Sequence, residues 1–276
     1  MFDLYVVWDF DPVIFTVFGR PVVWYGLLWA VSFVVGYYIV RKMFRREMPN
    51  KQDAADALTD RLLIYMIVGS IVGARLGHCL FYEPSYYFAH PWKFLAVWEG
   101  GLASHGGAIG ILLALYLFSR KEKMPYVGVV DRIVVVAALA GALIRLGNLT
   151  NSEIYGFETT MPWGFKFVRD YPPEWSVEMV PACHPTQIYE ALFCIATFIY
   201  LMYAYFKKNL VFKKPGMMLG VFLIVIFGSR IMIEFLKRPQ VDFENNMILD
   251  MGQWLSIPFV IAGFWLCLRK QKNVTE

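Results

Sequence analysis

The sequence predicts an all-α integral membrane protein of about seven transmembrane helices with a small extracytoplasmic cap, and three features predict it. Of 276 residues, 58% are hydrophobic and only 17% are charged, with a mean hydropathy of +0.48. A soluble domain carries about 45–50% apolar and about 25% charged residues. The apolar excess is gathered in runs of about 20 residues, the length a helix needs to cross a hydrocarbon core. Lysine and arginine are concentrated in alternate connecting segments, as the positive-inside rule requires of a polytopic protein.

Seven stretches qualify as spans: Val22–Val40, Leu62–Phe81, Leu102–Phe118, Val129–Asn148, Gln187–Phe206, Gly216–Phe235 and Met251–Leu268. Glycine and polar residues interrupt the third and fourth, which are the weakest. One set of alternate segments (41–61, 120–132, 207–215 and the tail after Leu268) holds 17 Lys/Arg, and the other set holds six. That asymmetry places the N-terminus outside and the C-terminus in the cytoplasm. The opening residues MFDLYVVWDFDPV lack the basic region and cleavage site of a signal peptide, so the first span reads as retained. The whole chain, 1–276, reads as one polytopic membrane domain. Its longest loop, 149–186, is too long for a simple turn and carries Trp163, Phe165, Phe167, Tyr171 and Trp175. Aromatic residues in that number favour an ordered cap over a floppy connector.

The net charge of +4 is mild, and no basic stripe with interleaved aromatics suggests nucleic acid as a partner. Cys79, Cys183, Cys194 and Cys267 show neither a CxxC pair nor metal-ligand spacing.

The informative residues are the charges inside the spans. Each costs at least about 2.5–3.5 kcal/mol in the bilayer, so an intramembrane arginine marks a functional site by default. At 1.5 Å per residue, Arg75, Arg145 and Arg230 lie roughly 20, 24 and 21 Å from the inner face along their spans. Tyr25, His105 and Glu190 sit near the outer ends of theirs. Snorkelling or helix-gluing pairs would explain any one of these, and Arg230 and Glu234 could neutralise each other across one helical turn. Three arginines at one depth favour a site. A guanidinium stays charged and offers a planar fork of donors to phosphate oxygens, and the phosphate abundant at that depth belongs to lipid head groups.

Four motifs surround these charges. In Gly101–Gly107, glycines flank His105, a side chain able to exchange a proton near neutral pH. A buried histidine in a small-residue helix contact is the equal alternative. In Gly141–Gly156, Arg145 and Asn148 share a helix face, and Asn151, Glu153 and Gly156 follow. Helix capping explains Gly147 there but not Arg145 and Glu153. His184–Glu190 begins a helix and buries Glu190 one turn in, where an arginine is the expected partner. Gly228–Arg238 carries Arg230 and Glu234, with Lys237 and Arg238 read as interfacial.

In this order the motifs resemble the prolipoprotein diacylglyceryl transferase family. The pattern Arg-x-Gly-Asn-x-x-Asn-x-Glu-x-x-Gly at Arg145–Gly156 is the most specific part. Tyr25-Gly26, His105-Gly106-Gly107, His184–Glu190 and Arg230…Glu234 support it. Leu149 stands where an aromatic is common and Thr186 where Ser is common. The resemblance implies a bacterial inner-membrane enzyme that moves diacylglyceryl from phosphatidylglycerol to the lipobox cysteine of preprolipoprotein signal peptides. Glycerol 1-phosphate would leave, and no metal or organic cofactor is implied. On this reading His105, Arg145, Arg230 and Glu153 are catalytic. Tyr25, Asn148, Asn151, Gly156, Arg75, Glu190 and Glu234 contact or support the lipid. A lipid transporter would need polar groups through both leaflets and repeat symmetry. An intramembrane protease would need a Ser–His or paired-Asp centre, a metal-dependent head-group transferase would need clustered Asp, and a scaffold would not need the charge.

Overall fold

The computed structural model describes residues 5–238 and 248–269. The chain forms two compact units, one of Met1–Gly36 with Ile133–Glu276 and one of Tyr37–Arg132. The division falls within helix α1 (Trp24–Glu47) and helix α5 (Tyr126–Thr150).

The 37–132 unit is built on α2 (Gln52–Phe81) and α4 (Ser104–Lys121), joined by the short α3 (Pro84–Ala89) and two 3-10 turns. Helix association in lipid has little hydrophobic drive, so close backbone contact between small residues supplies the packing. Gly69, Gly73 and Gly77 recur every four residues on α2 and face Gly106, Gly110 and Ala114, at the same spacing on α4. A Cβ on Gly73 or on Gly77 would lie 2.7 Å from a facing glycine Cα, so neither helix can carry a side chain at the seam. At the opposite end of the helices from α3, ion pairs take over. Arg41 and Arg45 both chelate Asp56, Arg61 pairs with Glu122 at 2.8 Å, and buried Arg132 pairs with Glu47 at 2.8 Å.

In the other unit, α6 (Thr186–Phe206), the single-turn α7 (Leu210–Lys213), α8 (Met217–Glu234) and α9 (Met251–Leu268) follow α5. Helices α8 and α9 meet through Gly220 and Gly263, each of whose Cβ positions is closed by the other's carbonyl at 2.9 and 2.8 Å. Asp250 and Gln253 form a reciprocal capping box at the start of α9, which satisfies two otherwise orphaned N–H groups.

Six helices (α1, α2, α5, α6, α8 and α9) are long and apolar enough to cross a membrane, so this is a multi-pass membrane protein. The expected third span is helix α4, whose 18 residues include His105, Arg120 and Lys121, and these polar ends dilute it. The expected fourth span, read as weak, is the most apolar of the six, because the interruptions in α5 are mainly alanine and glycine, which a helix interface accommodates.

The 149–186 segment is ordered. Its strand β4 (Phe165–Phe167) pairs in parallel with β1 (Val6–Trp8), a partner the sequence reading did not foresee. Trp8 donates its indole N–H to the Leu149 carbonyl at 2.9 Å. Leu149, Phe167 and Cys183 form the cap's core, covered by Trp8, Leu146, Tyr155, Phe165 and Ile188. Trp163 and Trp175, expected to be buried, are 52% and 41% exposed, so Phe165 and Phe167 supply the aromatic core instead. The hairpin β2 (Val13–Val17) and β3 (Arg20–Val23) leads directly into α1. All four cysteines are free, and burial pushes the Cys183 thiol above its ordinary range.

The glycine seam makes a sharp prediction. Gly73→Leu should destabilise the protein by several kcal/mol, since overpacking alone costs about 1–3 kcal/mol and here the obstacle is backbone. Gly228→Ala, with open space around its Cβ position inside α8, should not lower the melting temperature in detergent, because alanine is favoured over glycine in a helix interior by about 0.5–1 kcal/mol.

Candidate active site

The cap-side ends of α5, α6 and α8 carry a continuous run of buried charge. Arg145, five residues from the end of α5, pairs through Nε with Glu190 Oε2 at 2.7 Å. Glu190 Oε1 accepts from Lys237 Nζ at 2.8 Å, and Lys237 reaches Glu234 Oε2 at 3.3 Å. Glu234 faces Arg230 Nε at 3.8 Å. The order is therefore Arg145–Glu190–Lys237–Glu234–Arg230, with charges alternating in sign. Gly252 at the start of α9 admits the Glu234 carboxylate, which would lie 2.9 Å from an added Cβ.

Helix ends favour most of these placements. Arg145 and Arg230 stand near C-termini, where the macrodipole is negative, and Glu190 stands near the N-terminus of α6, where it is positive. The interior of the run is sealed, with the Lys237 side chain 3% exposed, while its ends remain accessible, Arg145 at 23% and Arg230 at 38%. The Arg230 Nε is buried and 3.8 Å is too long for a hydrogen bond, so among the described residues this donor is unsatisfied. Two partly free guanidinium groups at the ends of a braced chain are suited to receive an anion.

A polar extension runs from Arg145. Its Nη1 donates to Asn148 Oδ1 at 3.2 Å, and Asn148 Nδ2 donates to Glu153 Oε1 at 2.7 Å. Asn151 Nδ2 reaches the same Glu153 oxygen at 3.3 Å. After α5 the chain doubles back through Ser152 (φ 55°) and Ile154 (φ 60°), both left-handed. A β-branched residue in that conformation costs on the order of 1–3 kcal/mol and persists only where its surroundings hold it. Thr186 Oγ1 donates to the Ile154 carbonyl at 2.8 Å and Gln187 Nε2 to the Glu153 carbonyl at 2.6 Å. The first turn of α6 thus clamps the strained turn that presents Glu153.

Tyr25, at the second position of α1, packs on Gly147, whose Cβ position is 2.7 Å from the tyrosine ring. Gly156 is buried between the Leu236 carbonyl, His184 and Thr186, and its N–H donates to the His184 carbonyl at 2.8 Å. That environment gives Gly156 a supporting role by close packing.

Two expected site residues belong to the 37–132 unit. His105 is the second residue of α4 and is exposed, which disposes of the buried-histidine alternative. Arg75 is 2% exposed and is consumed by backbone. Its guanidinium donates to the carbonyls of Lys93 and Gly100 at 2.5 Å each and to those of Phe94 and Gly101 at 3.3 Å. It also lies 5.0 Å from the centroid of the Tyr87 ring. Of the two expected roles, contact or support, these bonds favour support: Arg75 pins the 93–101 segment to α2. Gly101, at φ 69°, allows this approach.

Lys237 was read as interfacial from its place after the span, yet it is 5% exposed and central to the charge run. Its spacing of three from Glu234 was the available signal. Gln187 carried none, since its bond to Glu153 joins residues 34 apart in sequence.

Arg75→Met removes the side-chain donors from four backbone carbonyls. It should lower stability by about 3 kcal/mol and speed hydrogen exchange across residues 93–101, read by mass spectrometry. An unchanged exchange pattern would show that the segment is held by other contacts.

Comparison with known proteins places this geometry in context. Residues 12–269 match the family described as prolipoprotein diacylglyceryl transferase. A protein of Porphyromonas gingivalis named phosphatidylglycerol–prolipoprotein diacylglyceryl transferase is 50% identical, over 98% of this chain and 96% of its own. Proteins of the same name from Chloroherpeton thalassium and Bacteroides fragilis are 43% and 42% identical, each over 98% of this chain, covering 96% and 98% of their own lengths. The chain belongs to the prolipoprotein diacylglyceryl transferase family.

Proposed function

We propose that this protein transfers the diacylglyceryl group of phosphatidylglycerol to the lipobox cysteine thiol of preprolipoproteins, releasing glycerol 1-phosphate. The chain acts as one polytopic domain of the bacterial cytoplasmic membrane, with its N-terminus and cap extracytoplasmic and its C-terminus cytoplasmic. The names of its relatives support the two substrates, and the alternating excess of Lys/Arg in the connecting segments supports the orientation. The observation that carries the chemistry is the charge run that ends on two partly exposed arginines.

The reaction exchanges a carbon–oxygen bond for a carbon–sulfur bond. The substrate thiol gives up its proton and attacks as thiolate, which is the nucleophilic form. Its sulfur bonds to the glycerol carbon that carries the phosphate ester. The C–O bond breaks and its electron pair leaves with the phosphate, whose charge grows as it departs. Arg145 and Arg230 hold that phosphate, and charge-assisted bonds to it strengthen toward the transition state. Glu190 and Glu234 set the two guanidinium planes, while Asn148, Asn151 and Tyr25 orient the head group. Glu153, presented on its strained turn, and His105, by its residue type, are the candidate bases that take the thiol proton. The nucleophile comes from the peptide, so none of this chain's own cysteines takes part.

The test is reconstitution. Purified protein, phosphatidylglycerol and a lipobox peptide should yield a peptide heavier by one diacylglyceryl group, and a Cys→Ala peptide should not. Arg145→Ala and Arg230→Ala should each lower the rate at least about 100-fold, the usual effect of removing one transition-state donor. Full activity in both variants would remove the phosphate clamp.

A further inference from the structure

We infer that Lys237 is a positioning residue whose buried charge keeps Arg145 and Arg230 available to the phosphate. The inference rests on the function proposed above and adds a residue to it.

Glu190 and Glu234 each face one arginine, Glu190 at 2.7 Å and Glu234 at 3.8 Å. Without another cation the four groups would cancel, and each guanidinium would be held by its own carboxylate. The Lys237 ammonium stands between the two carboxylates, 2.8 Å from Glu190 and 3.3 Å from Glu234. Lys237 thus shares both carboxylates with the arginines, so neither glutamate's charge falls wholly on its guanidinium. Glu153, a further carboxylate nearby, accepts from Asn148 and Asn151.

The backbone fixes the lysine as firmly as the charges do. Lys237 follows α8 directly, and its N–H donates to the Glu234 carbonyl at 3.0 Å. It forms an antiparallel bridge with buried Gly156, on the same turn that carries Glu153. A side chain that only filled space there could be apolar. An ammonium in so dry a place is retained because the pair of carboxylates requires it.

Kinetics on the full-length protein with phosphatidylglycerol in mixed micelles and a lipobox peptide test this. Lys237→Met should lower kcat/KM at least tenfold, with KM for phosphatidylglycerol raised, because both carboxylates then compete with the phosphate for the arginines. Lys237→Arg should recover most of the loss. Unchanged kinetics in Lys237→Met would overturn the inference. So would a loss confined to kcat with KM for phosphatidylglycerol unchanged, or one that Lys237→Arg fails to reverse. Failure of the function itself would appear separately, as no transfer by the unmodified protein.

Discussion

Burial of Glu190 is the constraint around which the cap side of this protein is arranged. A carboxylate with a 7% exposed side chain, one turn into an apolar helix, is tolerable only with cations in contact. It draws Arg145 from α5 and Lys237 from the end of α8 onto α6. Lys237 in turn requires Glu234, and Glu234 requires the missing side chain at Gly252 on α9. Four helices are thereby registered at one level by a single run of charge. The energy of that arrangement lies less in the pairs themselves than in what breaking one would expose, because a lone buried charge is far more costly than a satisfied pair.

Arg75 shows that the same residue type can be used in the opposite way. Arg145 and Arg230 are braced by carboxylates and keep part of each guanidinium open. Arg75 spreads its donors over four backbone carbonyls and is closed. The first arrangement suits an anion that comes and goes, and the second suits a permanent tie. Counting residues along the spans gives the three arginines a similar expected depth, so such a count alone does not assign function.

Conformational strain follows the same division. The turn at Ser152–Ile154 is left-handed at two residues that disfavour it, and it carries Glu153. The helical seams, in contrast, are relaxed: glycine opposite glycine on α2 and α4, and again on α8 and α9, gives close contact without distortion. Rigid, unstrained helices with one strained polar turn at their end is the distribution expected when most of the chain is scaffold and a short stretch does chemistry.

The membrane class, the spans, the family motif and the candidate arginines were all legible in the sequence, because each is local: an apolar run, a spacing of three or four, a charge with no water near it. The pairing of Arg145 with Glu190 was inferable from the cost of leaving Glu190 alone. What the sequence left open depended on distant segments meeting. Strand β1 finding β4, Gln187 reaching Glu153, and Gly156 being enclosed by Leu236 are contacts without local periodicity. The fates of Arg75 and Lys237 were decided in the same way. One could serve as a ligand contact or a support and is spent on carbonyls; the other looked interfacial and is buried between two carboxylates. A charged side chain's role is set by which partners reach it, and only the tertiary structure supplies them.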